Sequence, residues 1–160
     1  MEEAARKIKT LQEATAQVQG WQHAGHRVVF TNGCFDIIHL GHVDYLEKAR
    51  MLGDKLVIGL NSDDSVSRFK GPERPLQDQT SRARILASMQ FVDLVVFFNE
   101  DTPLTLISEL KPNILVKGSD YLAENIVGAD VVKKNGGVVK TIDFVPGYST
   151  TRIVEKIKRT

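Results

Sequence analysis

The chain has 160 residues and a mass of 17.8 kDa, the size of one domain able to bury roughly two thirds of the surface its unfolded form exposes. Hydrophobic residues at 42% and charged residues at 26% match ordinary globular domains and exclude a long disordered or fibrous segment. With 21 basic against 20 acidic residues, the net charge of +1 provides no broad field for holding a nucleic acid, so phosphate chemistry is expected only at a local site.

The opening stretch MEEAARKIKTLQEATAQ is too polar for a signal peptide, and no apolar run reaches the length of a membrane span. Cys34, the one cysteine, excludes an internal disulfide and suits a reducing compartment. A cytoplasmic protein without membrane attachment is expected. Ala5, Ile8, Leu11 and Val18 fall on one face of a helix over Glu3–Val18, with Trp21 anchoring its end. Residues 1–26 therefore read as a leading helix and connection, and residues 27–160 as the domain proper.

From there, short apolar, β-branched runs at Val28–Thr31, Leu56–Leu60, Leu94–Phe98, Ile114–Val116 and Val138–Ile142 read as strands. They alternate with helical stretches near residues 41–52, 80–90, 103–110, 124–134 and 150–158. Near-continuous apolar strands separated by helices imply a parallel sheet covered on both faces. The expected fold is α/β, a doubly wound, Rossmann-like parallel sheet in a single domain. Ligands of such sheets bind beyond the carboxyl ends of the strands, which directs attention to Thr31–His42.

In that segment His39 and His42 are three residues apart and share a face at the start of a helix. Gly41 lets a ligand approach the backbone, while free amides and the positive end of the helix dipole favour an anion. Two imidazole donors suit a reaction in which charge develops on phosphate oxygens. A cap, a packed ring or a metal pair are alternative readings of His-x-x-His. Gly33, Gly41 and the position after the first strand favour the phosphate reading, and the lone cysteine disfavours structural zinc.

Further along, Phe69–Asp78 is rich in Gly and Pro and reads as a mobile loop over the site. It carries Lys70 and Arg74, and Arg82 opens the next helix; the usual fate of such residues is a solvated basic surface. Asp36, Asn61 and Asp63 stand at strand ends facing an acceptor, although Asp63 also suits a helix cap. Lys117-Gly118-Ser119-Asp120-Tyr121 has the composition of an ordinary turn. Ser149, Thr150 and Thr151 precede the last helix, where hydroxyls cap and free amides hold phosphate.

Asn32-Gly33-Cys34-Phe35-Asp36 followed by His39-Leu40-Gly41-His42, together with Ser149-Thr150-Thr151-Arg152-Ile153, resembles the two signature motifs of the cytidylyltransferase-like nucleotidylyltransferase superfamily. Over Val28–Ile157 the chain is most similar to the heptose-1-phosphate adenylyltransferases of lipopolysaccharide-core biosynthesis. The stretches that carry this are Phe30–Asp36, Asn61-Ser-Asp, Lys70-Gly, Glu100-Asp-Thr-Pro, Leu115–Tyr121 and Asn135-Gly-Gly, with Ser119 standing where a second glycine is commoner.

The resemblance implies transfer of AMP from ATP to a sugar 1-phosphate, D-glycero-β-D-manno-heptose 1-phosphate, giving ADP-heptose and pyrophosphate. It implies catalytic roles for His39, His42 and Lys70. ATP would be held by Thr31, Asn32, Gly33, Cys34, Phe35, Gly41, Lys117, Gly118, Asp120, Tyr121, Ser149, Thr150 and Thr151. The acceptor would be held by Asp36, Asn61, Asp63, Arg74 and Arg82. Mg²⁺ would arrive on ATP without a dedicated protein cage, and a homodimer in a Gram-negative cytoplasm is implied. The Lys117–Tyr121 segment favours ATP over CTP. The competing readings are a glycerol-3-phosphate cytidylyltransferase, an FAD synthetase-like enzyme, and a nucleotide-sensing module without turnover.

Overall fold

A computed structural model describes residues 3–160. Its elements, in chain order, are α1 (Glu3–Arg6), β1 (Ile8–Lys9), α2 (Leu11–His23), β2 (Val28–Gly33), α3 (Leu40–Met51), β3 (Lys55–Asn61), α4 (Asp63–Lys70), α5 (Gln79–Ala87), β4 (Leu94–Phe98), α6 (Leu104–Leu110), β5 (Ile114–Gly118), a 3₁₀ turn (Ala123–Asn125), α7 (Ala129–Lys134), β6 (Val138–Ile142) and α8 (Thr150–Lys158). Six parallel strands form one sheet in the order β1-β4-β3-β2-β5-β6. This is the doubly wound α/β architecture that the strand pattern implied.

Alternation along each strand divides the core in two. Val28, Phe30, Val57, Leu94, Val96 and Leu115 turn to the face covered by α2, α6 and α7. Val29, Leu56, Ile58, Leu60, Val95 and Val116 turn to the face covered by α3 and α5. With both faces buried, the central strands read as unbroken apolar runs, as parallel strands must. The edge strand β6 is different: its residues are exposed or half-buried, so one side of it lacks a covering layer.

The N-terminal segment departs from the expected single helix. Lys7 N–H bonds back to Ala4 O and ends α1, after which Ile8 and Lys9 pair with Val95 and Val96 as an edge strand. Thr10 then starts α2 with a capping box: its hydroxyl accepts from Glu13 N, and Glu13 Oε2 accepts from Thr10 N. That reciprocal cap satisfies two first-turn donors and resets the chain direction, which period-3.6 spacing of Ala5, Ile8 and Leu11 conceals.

The chain winds outward from β2 through β3 to β4, then crosses to β5 and β6 on the other side. A winding reversal of this kind leaves a crevice at the carboxyl ends of the two central strands. Here β2 pairs with β5 only at Val29–Ile114 and Phe30–Leu115. Beyond those pairs, Lys117 Nζ reaches across to Asn32 O at 3.4 Å.

One buried bond joins this opening to the helix behind it. Thr31, with no exposed surface, shares a hydrogen bond of 2.8 Å with the hydroxyl of Tyr45 on α3, and burial pushes the Tyr45 hydroxyl pKa well up. Tyr45→Phe leaves the Thr31 hydroxyl without a partner and is expected to lower stability by about 1–2 kcal/mol. Urea unfolding of the two proteins measures it; equal midpoints would show the bond to be dispensable.

Candidate active site

Around the crevice a cleft of two joined lobes opens. The smaller is lined by His42, Tyr45, Phe144 and Thr150, the larger by Asn61, Phe69, Pro103, Ile126 and Val127. Asn32, Gly33, Cys34, Lys70, Lys117, Tyr121 and Phe144 face both. The expected histidines, Lys70, the Lys117–Tyr121 turn and the last helix thus meet in one place, although 110 residues separate His39 from Ser149.

Two helix starts converge on the smaller lobe. His39 occupies the N-cap of α3 without a side-chain cap bond, and the first backbone bond of that helix is His42 N to His39 O. The amides of Leu40 and Gly41 are therefore among the free donors of a helix start. At α8, Ser149 Oγ accepts from Arg152 N at 3.1 Å, which leaves the amides of Thr150 and Thr151 in the same condition. Thr150 Oγ1 donates to Ile37 O at 3.1 Å and ties the second helix start to the turn before the first. Within the triad, Ser149 caps, Thr150 ties and lines the lobe, and Thr151 is exposed.

The two imidazoles stack, with ring centroids 3.8 Å apart and planes at 25°. Phe35 presses edge-on against His42 at 5.3 Å, held in the left-handed region at φ 45°. Burial, then the neighbouring His39, then Lys70 lower the His42 pKa to about 4, and burial lowers that of His39. Both rings are therefore neutral at pH 7. Each leaves Nδ1 buried with no hydrogen-bond partner, an arrangement native structures retain chiefly for function.

The glycines also have a packing use. A Cβ on Gly41 would meet the His39 ring at 3.0 Å and Tyr148 Cβ at 3.3 Å, and one on Gly33 would meet Phe35 at 2.9 Å. Their bareness makes room for rings that position the histidines.

Several expected ligand contacts have other partners. Thr31 is fully buried against Tyr45 and does not reach the cleft. Arg82 was expected on substrate phosphate, but it has no exposed surface. Its guanidinium donates to Gln77 O, Cys34 O, Asn61 O and Asp63 Oδ1 at 2.7–3.0 Å. Asp63, itself part-exposed, thereby pairs with a buried guanidinium, while Ser62 caps α4.

Asp36 borders the smaller lobe and also has partners within the protein. Its carboxylate accepts from Leu76 N at 2.7 Å and Gln77 N at 2.9 Å and lies 3.5 Å from Arg74. Those contacts anchor the segment expected to be a loose loop. Phe69 and Lys70 belong to α4, which ends at Gly71 with φ 103°, and residues 71–78 are strapped to Asp36. Asn61 gives its amide to Ser65 Oγ and still lines the larger lobe.

On the β5 side, burial lowers the pKa of Lys117, whose ammonium stands 5.3 Å from the Tyr121 ring centroid. Burial pushes the Cys34 thiol up, so it is not an activated nucleophile. Asp120 is exposed and flanks Gly118. Tyr45 and Phe144 were not anticipated. Tyr45 carried a signal, since it lies three residues after His42 on the same helical face. Phe144 carried only its place in a turn before Pro146-Gly147.

Comparison with known proteins gives consistent matches. The cytidylyltransferase-like family model matches residues 30–156. Bifunctional protein HldE of Geotalea uraniireducens is 57% identical over 95% of this chain, and that of Magnetococcus marinus 54% over 97%. The chain spans only 31% and 32% of those relatives' lengths. The crystal structure of the lipopolysaccharide core biosynthesis protein from Thermoplasma volcanium superposes with a TM-score of 0.60 at 31% identity, over 76% of this chain and 98% of that one.

The depressed histidine sets a pH signature. The unfolded chain binds a proton at His42 near the usual 6.5, and the folded chain only near 4. This contribution to stability is thus complete above pH 6.5 and is lost as pH falls toward 4. Proton NMR should show a His42 ring titrating near pH 4 in the free protein and at higher pH when tripolyphosphate is added. A midpoint near 6.5 without ligand would contradict the buried, neutral imidazole.

Proposed function

The chain belongs to the cytidylyltransferase-like family of nucleotidyltransferases, and we propose that it transfers AMP from ATP to a sugar 1-phosphate, D-glycero-β-D-manno-heptose 1-phosphate, releasing pyrophosphate. The observation that carries this reading is the convergence of two helix starts and two neutral, stacked histidines on one lobe of the cleft. Helix starts attract anions through free amides and dipole, and a pair of them suits a polyphosphate better than a single phosphate.

In the reaction, an oxygen of the sugar phosphate attacks the α-phosphorus. A new P–O bond forms as the bond to the β-phosphate breaks, and pyrophosphate leaves with the electron pair. The attacking phosphate is already ionised at pH 7, so the protein's task is placement and stabilisation of developing charge. His39 and His42, neutral and prepositioned, donate to oxygens at the α-phosphorus and the leaving group. Lys70 adds a positive charge from the end of α4, and the amides of Thr150 and Thr151 hold the outer phosphates. Lys117, Gly118, Asp120 and Tyr121 face the nucleoside, while Asn61 and the larger lobe take the acceptor.

Among the described residues, no cluster of three or more His, Cys, Asp or Glu side chains is placed to hold a metal ion. Asp36 is already occupied by two amides and Arg74. This donor set suits Mg²⁺ carried on the triphosphate, where the ion neutralises phosphate charge. The same reading carries a homodimer and a cytoplasmic setting; no helix of the described residues is long and apolar enough to cross a membrane.

Pyrophosphate release should be measured with ATP and CTP against sugar 1-phosphates, glycerol 3-phosphate and flavin mononucleotide. ATP with heptose 1-phosphate is expected to have the largest kcat/KM. Equal values for ATP and CTP, or preference for another acceptor, would replace the assignment. His39→Ala and His42→Ala are each expected to lower kcat about 10²-fold with the fold intact, the usual loss when a prepositioned donor to developing charge is removed. Circular dichroism checks the fold, and near-normal turnover in both variants would exclude the histidines from the chemistry.

A further inference from the structure

Resting on the adenylyl-transfer reading, we propose that Phe144 is the platform on which the nucleotide's base stacks, and that it makes the site prefer a purine. Phe144 lies in the connection between β6 and α8, outside both phosphate motifs, and it stands where the two lobes of the cleft meet.

The ring is held on two sides. A Cβ on Gly118 would lie 2.1 Å from Phe144 Cε2 and 2.2 Å from Cζ, so the aromatic ring rests directly on the bare backbone at the end of β5. Tyr45 stacks against it with centroids 5.4 Å apart and planes at 29°. Tyr45 is itself fixed by its hydrogen bond to Thr31 on β2. A chain of contacts from the central strand therefore sets the ring's position before any ligand arrives, which lowers the ordering cost of binding.

Despite these supports, 49% of Phe144 remains exposed. A phenylalanine serving only the core would be covered by other side chains. This one shows its free surface inside a concave site whose far end is built for phosphates. A flat heteroaromatic base buries that surface by offset stacking, and stacking tolerates any base while rewarding the larger area of a purine. A sugar ring offers only a small C–H patch between its hydroxyls and covers less of the aromatic face than a flat base does. The base therefore belongs on Phe144, which leaves the larger lobe to the sugar phosphate.

Base stacking is made equally in the ground and transition states, so its loss appears in KM and not chiefly in kcat. For Phe144→Ala we expect the KM for ATP to rise about tenfold, with a far smaller change in kcat. The preference for ATP over CTP should shrink, and inhibition by tripolyphosphate, which lacks a base, should stay as in the wild type. Phe144→Trp should restore ATP binding. Phe144→Leu, which keeps apolar volume without an aromatic face, should behave like the alanine variant and stands in for it if alanine unfolds the chain. An unchanged KM for ATP, equal weakening of tripolyphosphate, or failure of tryptophan to restore binding would overturn the platform. Wild-type protein that releases no pyrophosphate from ATP with any acceptor would instead remove the adenylyl-transfer reading itself.

Discussion

The guanidinium of Arg82 holds the site's framework together. It is buried without solvent contact and donates to the carbonyls of Cys34, Asn61 and Gln77 and to the carboxylate of Asp63. These acceptors lie at the end of β2, the end of β3, the strap of residues 71–78 and the start of α4. A buried cation is costly unless its donors are satisfied, and here each of these four segments supplies part of that satisfaction. The planar fork also imposes directions that a lysine's point charge does not. Asp36 repeats the logic with opposite sign, its oxygens taking two strap amides and the Arg74 charge. The two buried charges brace neighbouring segments, while Lys70 stays exposed and the two helix starts keep free amides.

On the proposed reading, that division of labour lets a nearly neutral chain make an anion site. Charged side chains at the floor are few; burial lowers the pKa of both histidines, and at His42 the neighbouring His39 and then Lys70 add to it. Attraction comes instead from amides that the helix geometry leaves unpaired. Such donors are fixed by the backbone, need no side-chain ordering, and would keep their orientation as charge moves in the proposed transfer.

Close packing between glycines and rings sets the positions of these donors. Gly41 admits the His39 ring, Gly33 admits Phe35 beneath His42, and Gly118 admits Phe144. Each pair brings an aromatic group onto bare backbone, so closely at Gly33 and Gly118 that a methyl group would force it to move, and tightly at Gly41. The same pairing recurs at three strand or helix ends around one cleft, so the aromatic frame of the site is as much a product of missing side chains as of present ones.

Much of this was legible in the linear chain. Apolar runs and helical spacing specified five strands in a parallel sheet, because burial on both faces forces that pattern regardless of tertiary detail. His39, His42 and the Ser149–Thr151 segment could be placed at helix starts from the chain alone, because helix starts have local signatures. The edge strand β1 was hidden, since two residues are too few to show a period and Thr10 restarts the helix on nearly the same face. The assignments of Thr31, Asp36, Asp63 and Arg82 depended on which way a side chain turns and what meets it there. Residue type says only that a charge or hydroxyl must be satisfied; folding gave these four partners within the protein, with Asp36 also bordering the smaller lobe and Asp63 part-exposed. Phe144 needed folding most of all, because its relation to Gly118 and Tyr45 spans three separate elements that become neighbours only when β2, β5 and β6 align.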